Sequence, residues 1–127
     1  MRSGGSQPCV FVVDDETVIA TTLAAILRMN GFQAHSFDKP LEALVSARET
    51  APDLLLTDVV MPLISGIELA IRMWELCPNC KVLLFSGQAA TVNLLEGART
   101  SGHNFEMLVK PVRPAVLLKK VLAELAG

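Results

Sequence analysis

The sequence has no stretch approaching the roughly 18 uninterrupted apolar residues of a membrane-spanning helix, although 51% of its residues are apolar and its mean hydropathy is +0.45. It also lacks an apolar leader. Residues 1–8, Met1-Arg2-Ser3-Gly4-Gly5-Ser6-Gln7-Pro8, are small and polar where a secretory signal would carry its hydrophobic core, so export is not expected and the segment reads as a flexible lead-in. Basic residues are in no excess: 11 Lys and Arg stand against 13 Asp and Glu, for a net charge of −2. With no basic run to displace counterions from a phosphate backbone, direct nucleic-acid binding is not expected. Cysteine is scarce. Cys9, Cys77 and Cys80 cannot form a disulfide framework, which fits a reducing, cytoplasmic compartment. Cys77-Pro78-Asn79-Cys80 has the spacing of a redox pair, but that chemistry needs the first Cys at a helix N-terminus after a strand. Here the pair ends a helical stretch and precedes a strand, so a plain turn is expected. Internal repeats are absent, and His35 and His103 have no Cys or carboxylate at metal-ligand spacing.

What the sequence does contain is alternation. Short apolar runs at Cys9–Val13, Gln33–Phe37, Leu54–Thr57, Lys81–Phe85 and Glu106–Val109 are separated by segments of helical period. Leu54–Leu56 and Val82–Phe85 are apolar throughout, as strands covered on both faces must be. The first helix is expected from about Glu16 to Asn30, on Ile19, Leu23, Ile26 and Leu27, with Asn30-Gly31 as a left-handed stop. A second begins near Pro40 and ends before Pro52, a third follows Gly66, a fourth lies between Gln88 and Ser101, and a fifth runs from about Arg113 to Leu125. The expected fold is a single α/β domain over residues 9–127, an open doubly wound sheet of five parallel strands in flavodoxin-like order. Trp74 and the methionines at 29, 61, 73 and 107 are expected to fill core or helix-face positions.

In such a sheet the ligand site lies at the carboxyl ends of the strands. The first run ends in Asp14-Asp15, the third in Asp58, the fourth in Ser86-Gly87 and the fifth in Lys110-Pro111. Taken singly, each has an ordinary explanation: Asp15 as a helix N-cap, Ser86-Gly87 as a turn, Lys110 as a surface lysine. Taken together they make a pocket in which three carboxylates would repel one another unless they share a hard cation. Mg²⁺ suits one to three oxygen ligands completed by water and phosphate. With it in place, Asp58 is a plausible nucleophile toward phosphorus, Lys110 a second positive point, and Ser86 a hydroxyl donor to a phosphoryl oxygen.

The stretches Val12-Val13-Asp14-Asp15-Glu16, Leu56-Thr57-Asp58-Val59-Val60-Met61-Pro62 with Gly66, Phe85-Ser86-Gly87 and Val109-Lys110-Pro111 resemble, in order and spacing, the receiver domains of bacterial two-component response regulators. The resemblance covers Cys9 to Leu125. It implies a CheY-like fold in which Asp58 is the phosphoacceptor and Asp14 and Asp15 hold Mg²⁺ directly or through water, along with Asp58 and the backbone carbonyl of Val60. It further implies Ser86 as the switch hydroxyl, Lys110 as the phosphate-binding lysine, and Met61-Pro62 with Gly66 as shapers of the loop after the acceptor. A sensor histidine kinase or phosphotransfer protein is the implied partner, and self-phosphorylation and self-dephosphorylation the only chemistry.

The sequence departs from the family at Met107, where an aromatic three residues before the lysine is common. Phe105 would share a strand face with Met107 and could substitute for it, but ordinary packing is the preferred reading. The segment Gly102-His103-Asn104-Phe105-Glu106 is about one residue longer than usual. Val60 and Gln88 stand two past the acceptor and two past the switch hydroxyl, where side chains in the family influence the access of water; Val60 cannot orient a water, so a longer-lived acyl phosphate than in a Val60→Asn variant is expected. On the first helix Thr21, Thr22, Ala25 and Arg28 form a nearly uncharged outer face that suits a docking partner. The last helix carries a wide stripe of Val116, Leu117, Leu118, Val121, Leu122 and Leu125, suited to deep packing, a homodimer or an output partner. Two rival readings stay open. A hydrolytic phosphatase of haloacid dehalogenase type would need an Asp at the place of Val60, and a degenerate receiver would act as an interaction module without phosphorylation.

Overall fold

Strands buried on both faces can offer the core two alternating sets of side chains, and these do. In the computed structural model, which describes residues 7–87, 91–100, 102 and 105–127 (91–95 as backbone only), β1 is Cys9–Val13, β2 Gln33–Phe37, β3 Leu54–Asp58, β4 Lys81–Ser86 and β5 Glu106–Val109. Between and after them run α1 (Thr17–Met29), α2 (Pro40–Glu49), α3 (Gly66–Leu76), α4 (Thr91–Thr100) and α5 (Pro114–Ala126). All pairings are parallel and the order is β2-β1-β3-β4-β5, the expected flavodoxin-like order. Phe11, Val13, Leu55 and Leu84 pack on one face with Ala43, Leu44, Ile67, Leu69, Ala70, Met73 and Ala98 of α2, α3 and α4. Val10, Val12, Leu54, Leu56, Leu83 and Phe85 pack on the other with Leu23, Ala24 and Leu27 of α1 and Leu117 and Val121 of α5. Leu54, Leu55 and Leu56 are fully buried, each contributing about 2 kcal/mol of transfer free energy.

Local signals set the element ends. Ser65 caps α3 by accepting from the Glu68 N–H at 3.1 Å; with Glu68 at the third helical position the sequence is that of a capping box. Pro40 and Pro114 occupy the first turns of α2 and α5, where a missing N–H leaves no bond unmade. Thus α5 starts at Pro114, with Arg113 in the cap position, one residue later than the periodicity suggested. Likewise Glu16 and Asn30 are the caps of α1 rather than its first and last turns. Gly31, at φ +92°, takes the left-handed conformation that ends this helix.

β2 is an edge strand, and the Arg28 guanidinium covers part of that edge by donating from Nε to the Ala34 carbonyl at 2.8 Å. The outer face of α1 at Thr21, Thr22 and Ala25 is exposed. In the stripe of α5, Leu117 and Val121 are buried, Leu118 and Leu125 half-buried, and Val116 and Leu122 exposed. Cys77 and Cys80 span a turn closed by the Cys80 N–H to the Cys77 carbonyl at 3.0 Å. Both thiols are buried, which pushes them up, Cys80 to about 12. They are poor nucleophiles, as the order of helix and strand implied. His35 lies exposed on β2; His103, Asn104, Ser101 and Gln88 lie outside the described residues, as do residues 1–6 of the lead-in. No described helix is long and apolar enough to cross a membrane.

Candidate functional site at the strand tips

Strand register brings the site together. Val13 is opposite Thr57, so Asp14 and Asp58 emerge side by side from β1 and β3. Asp58 is opposite Phe85 and Ser86 opposite Val109, which puts Ser86 and Lys110 on the next two tips. β1 is where the chain's strand order reverses, with β2 on one side and β3 on the other, and a crevice opens at such a point. β3 and β4 are each one residue longer than the apolar runs, so Asp58 and Ser86 end strands instead of beginning loops.

Asp14 and Asp58 are buried, at 0% and 6% exposure, whereas Asp15 is exposed. One carboxylate oxygen from each of the three lies within 4.8 Å of the others. The Lys110 amine donates to Asp14 Oδ2 at 3.2 Å, lies 3.4 Å from Asp58 Oδ2 and sits 5.0 Å above the Phe85 ring. Burial pushes the Asp58 carboxyl above its ordinary range, Asp14 adds to this, and Lys110 opposes it. Burial also raises Asp14, against the opposing Glu16 N–H and Lys110. The lysine is disfavoured by burial, but the two carboxylates outweigh that and hold it protonated. Three formal negative charges against one positive leave a surplus of two. That surplus, on oxygen donors that burial has made costly to leave ionised, fits a hard divalent cation.

Backbone contacts hold the acceptor strand end. The Thr57 hydroxyl donates to the Asp58 carbonyl at 2.9 Å, and the Gly66 N–H donates to the Val59 carbonyl at 2.7 Å. Gly66 lies so close that a Cβ there would fall on the Asp58 carbonyl oxygen. A Cβ at Gly87 would press on Lys110 Cβ at 3.3 Å. Asp14 Oδ1 accepts from the Glu16 N–H at 2.8 Å, so Asp14 also shapes the turn into α1. The N-cap explanation of Asp15 does not hold, because Glu16 occupies that position.

Residues 10–122 match the family model described as "Response regulator receiver domain". The chain belongs to that family. Among curated relatives it is 33% identical over 112 residues to the transcriptional regulatory protein CreB of Escherichia coli, covering 88% of this chain and 48% of that protein. It is 30% identical over 123 residues to the transcriptional regulatory protein PrrA of Mycobacterium leprae, covering 97% and 52%. This receiver domain thus spans about half the length of the curated relatives it matches. Among solved structures it superposes on a CheY-like receiver domain of Methanospirillum hungatei with a TM-score of 0.84 at 27% identity, covering 95% of each chain. Chemotaxis protein CheY4 of Vibrio cholerae gives 0.80 at 26%, covering 94% of this chain and 99% of that one.

In this receiver domain Asp14, Asp15, Asp58 and Lys110 converge, Ser86 ends the neighbouring strand with its carbonyl accepting from the Lys110 N–H at 3.1 Å, and Val60 lies half-buried two residues after Asp58. Phe105 lies elsewhere. It stacks on Trp74, with ring centroids 5.2 Å apart and planes at 11°, just before β5. Phe105 is also among the half-buried side chains packed on the core face formed with α2, α3 and α4. Two features had no sequence signal. The Phe85 ring supports the Lys110 amine, and Leu63 adopts φ +74° in the loop after the acceptor.

Proposed function

We propose that this receiver domain accepts a phosphoryl group on Asp58. A carboxylate oxygen of Asp58 forms the new O–P bond as the donor's N–P bond breaks, and the donor imidazole leaves with the bonding pair and takes up a proton. The observation that carries this reading is the buried pair Asp14 and Asp58, with Lys110 held 3.2 and 3.4 Å from them. Asp14, Asp15, Asp58 and the Val60 carbonyl would hold Mg²⁺, whose charge would offset that of the incoming phosphoryl oxygens. Lys110 then neutralises a phosphoryl oxygen from the opposite side, and Ser86 donates a hydrogen bond to another. These new contacts bias a two-state loop and helix, so the face around α4, β5 and α5 reports the change.

A sensor histidine kinase or phosphotransfer protein supplies the phosphoryl group in the cytoplasm and docks on the uncharged outer face of α1. The exposed Val116 (46%) and Leu122 (58%) of α5 offer a homodimer or output contact. No separate substrate is turned over, because Val60 has no proton to give at the position where a phosphatase would need one.

Intact-mass spectrometry after acetyl phosphate treatment tests the proposal. The expected result is one added phosphoryl group, dependent on Mg²⁺, mapped to Asp58 and absent from Asp58→Asn. Failure of the wild-type chain to label would refute it and favour a receiver that acts without phosphorylation, and label at another residue would refute Asp58 as the acceptor.

A further inference from the structure

Beside the acidic triad, the chain holds a large apolar side chain outward in a costly backbone conformation. Leu63 lies at φ +74° inside a three-residue turn closed by the Ile64 N–H to the Pro62 carbonyl at 3.0 Å. This is the γ-turn form that L-residues adopt rarely and under strain. Its side chain is 85% exposed, so the fold recovers almost nothing from it by burial. Gly or Asn would take this conformation more readily. Leu63, Pro62, Pro40 and Leu41 line one groove of about 430 Å³, and Leu41 is itself 45% exposed. Asp15, Asp38 and Glu42 stand on the rim against a single Lys39.

Asp15 belongs both to this groove and to the triad. Asp58 is only 6% exposed, so a phosphoryl group reaching it must be pressed into the mouth of the crevice. A protein that delivers it must rest on the loops around that mouth. We infer that the groove between the first turn of α2 and the Pro62-Leu63 loop is part of the docking surface for the protein phosphodonor, distinct from the α1 face. Its counterpart is an apolar side chain flanked by basic residues, which meets Leu63 and Leu41 while its cations face the acidic rim. The inference rests on the phosphoacceptor reading above and extends it to what recognises the donor.

Two substitutions test it, Leu63→Asn, which keeps a residue tolerant of positive φ, and Leu41→Ser on the exposed helix face. Each variant is labelled by acetyl phosphate and, separately, by autophosphorylated histidine kinase cores screened for transfer to the wild-type chain. The expected result is labelling by acetyl phosphate within about twofold of wild type, with transfer from the kinase reduced on the order of tenfold in kcat/KM. Unchanged transfer from the kinase overturns the inference. So does an equal loss with both donors, which would make the groove a support of the site rather than a dock. So does the absence of any kinase that labels a wild-type chain that acetyl phosphate labels. Dimerisation that is lost in Leu63→Asn with kinase transfer intact would assign the groove to a second copy of the chain instead. Failure of acetyl phosphate on the wild-type chain would refute the phosphoacceptor reading itself.

Discussion

The same substitution, glycine to alanine, is expected to act with opposite sign at two helical positions of this domain. At Gly97, inside α4, an added Cβ meets nothing within 4 Å. Only the helix propensity changes, so Gly97→Ala is expected to stabilise by about 0.5–1 kcal/mol. At Gly66, the first residue of α3, the Cβ would fall on the Asp58 carbonyl oxygen and also approach Val59 Cα at 3.1 Å. Both obstacles are backbone, so no rotamer change relieves them. Either α3 or the end of β3 must move, and the 2.7 Å bond from the Gly66 N–H to the Val59 carbonyl stretches as it does. Overpacking of roughly 1–3 kcal/mol and a weakened bond of about 1 kcal/mol, less the propensity gain, leave a net cost of about 2–3 kcal/mol. For a domain of this size that corresponds to a Tm lower by roughly 6–15 °C. Thermal melts followed by circular dichroism, with urea titrations as a check, read both values. A Gly66→Ala protein that melts within about 2 °C of wild type, or a Gly97→Ala protein clearly less stable than wild type, would refute the close approach on which the reasoning stands.

Lys110→Ala leaves the buried carboxylates of Asp14 and Asp58 without their cation. Since Lys110 is 23% exposed, a loss of about 2–3 kcal/mol is expected at pH 7, below the roughly 3–5 kcal/mol of fully buried pairs. The folded lysine is held above its unfolded value of 10.5, so its stabilisation is fully present below that pH and fades as pH rises through the folded value; equal stability of variant and wild type at pH 7 would contradict the geometry. In Val60→Asn the acyl phosphate is expected to decay faster, because an amide can orient a water where Val60 cannot; decay followed after removal of donor checks this, and a slower variant refutes it. Phe105→Leu removes the stack on Trp74 and is expected to lower Tm by a few degrees while labelling of Asp58 by acetyl phosphate stays the same. Impaired labelling would give Phe105 a part in the switch.

Much of this domain was legible in the chain. Fully apolar runs such as Leu54–Leu56, short and opened by Pro52-Asp53, read as strands covered on both faces, and their alternation with helical periods leaves few arrangements other than an open parallel sheet. That arrangement, in turn, puts whatever follows each strand at one edge, which is why Asp14, Asp58, Ser86 and Lys110 could be named before any coordinate. Strand ends were less legible. A polar last residue, Asp58 or Ser86, pairs in the sheet through its backbone, to which hydrophobic patterning is blind.

Periodicity and motif spacing by themselves determined the architecture and the residue types at the strand tips, because both depend on local chemistry repeated along the chain. Tertiary structure alone decided how near those groups come and what they meet. The 3.2 and 3.4 Å contacts of Lys110, the close approach of Gly66 to the Asp58 carbonyl, the Phe105–Trp74 stack and the outward Leu63 all arise between separate segments of the chain or from one backbone angle. Such distances are set by packing of the whole domain, and no local pattern carries them.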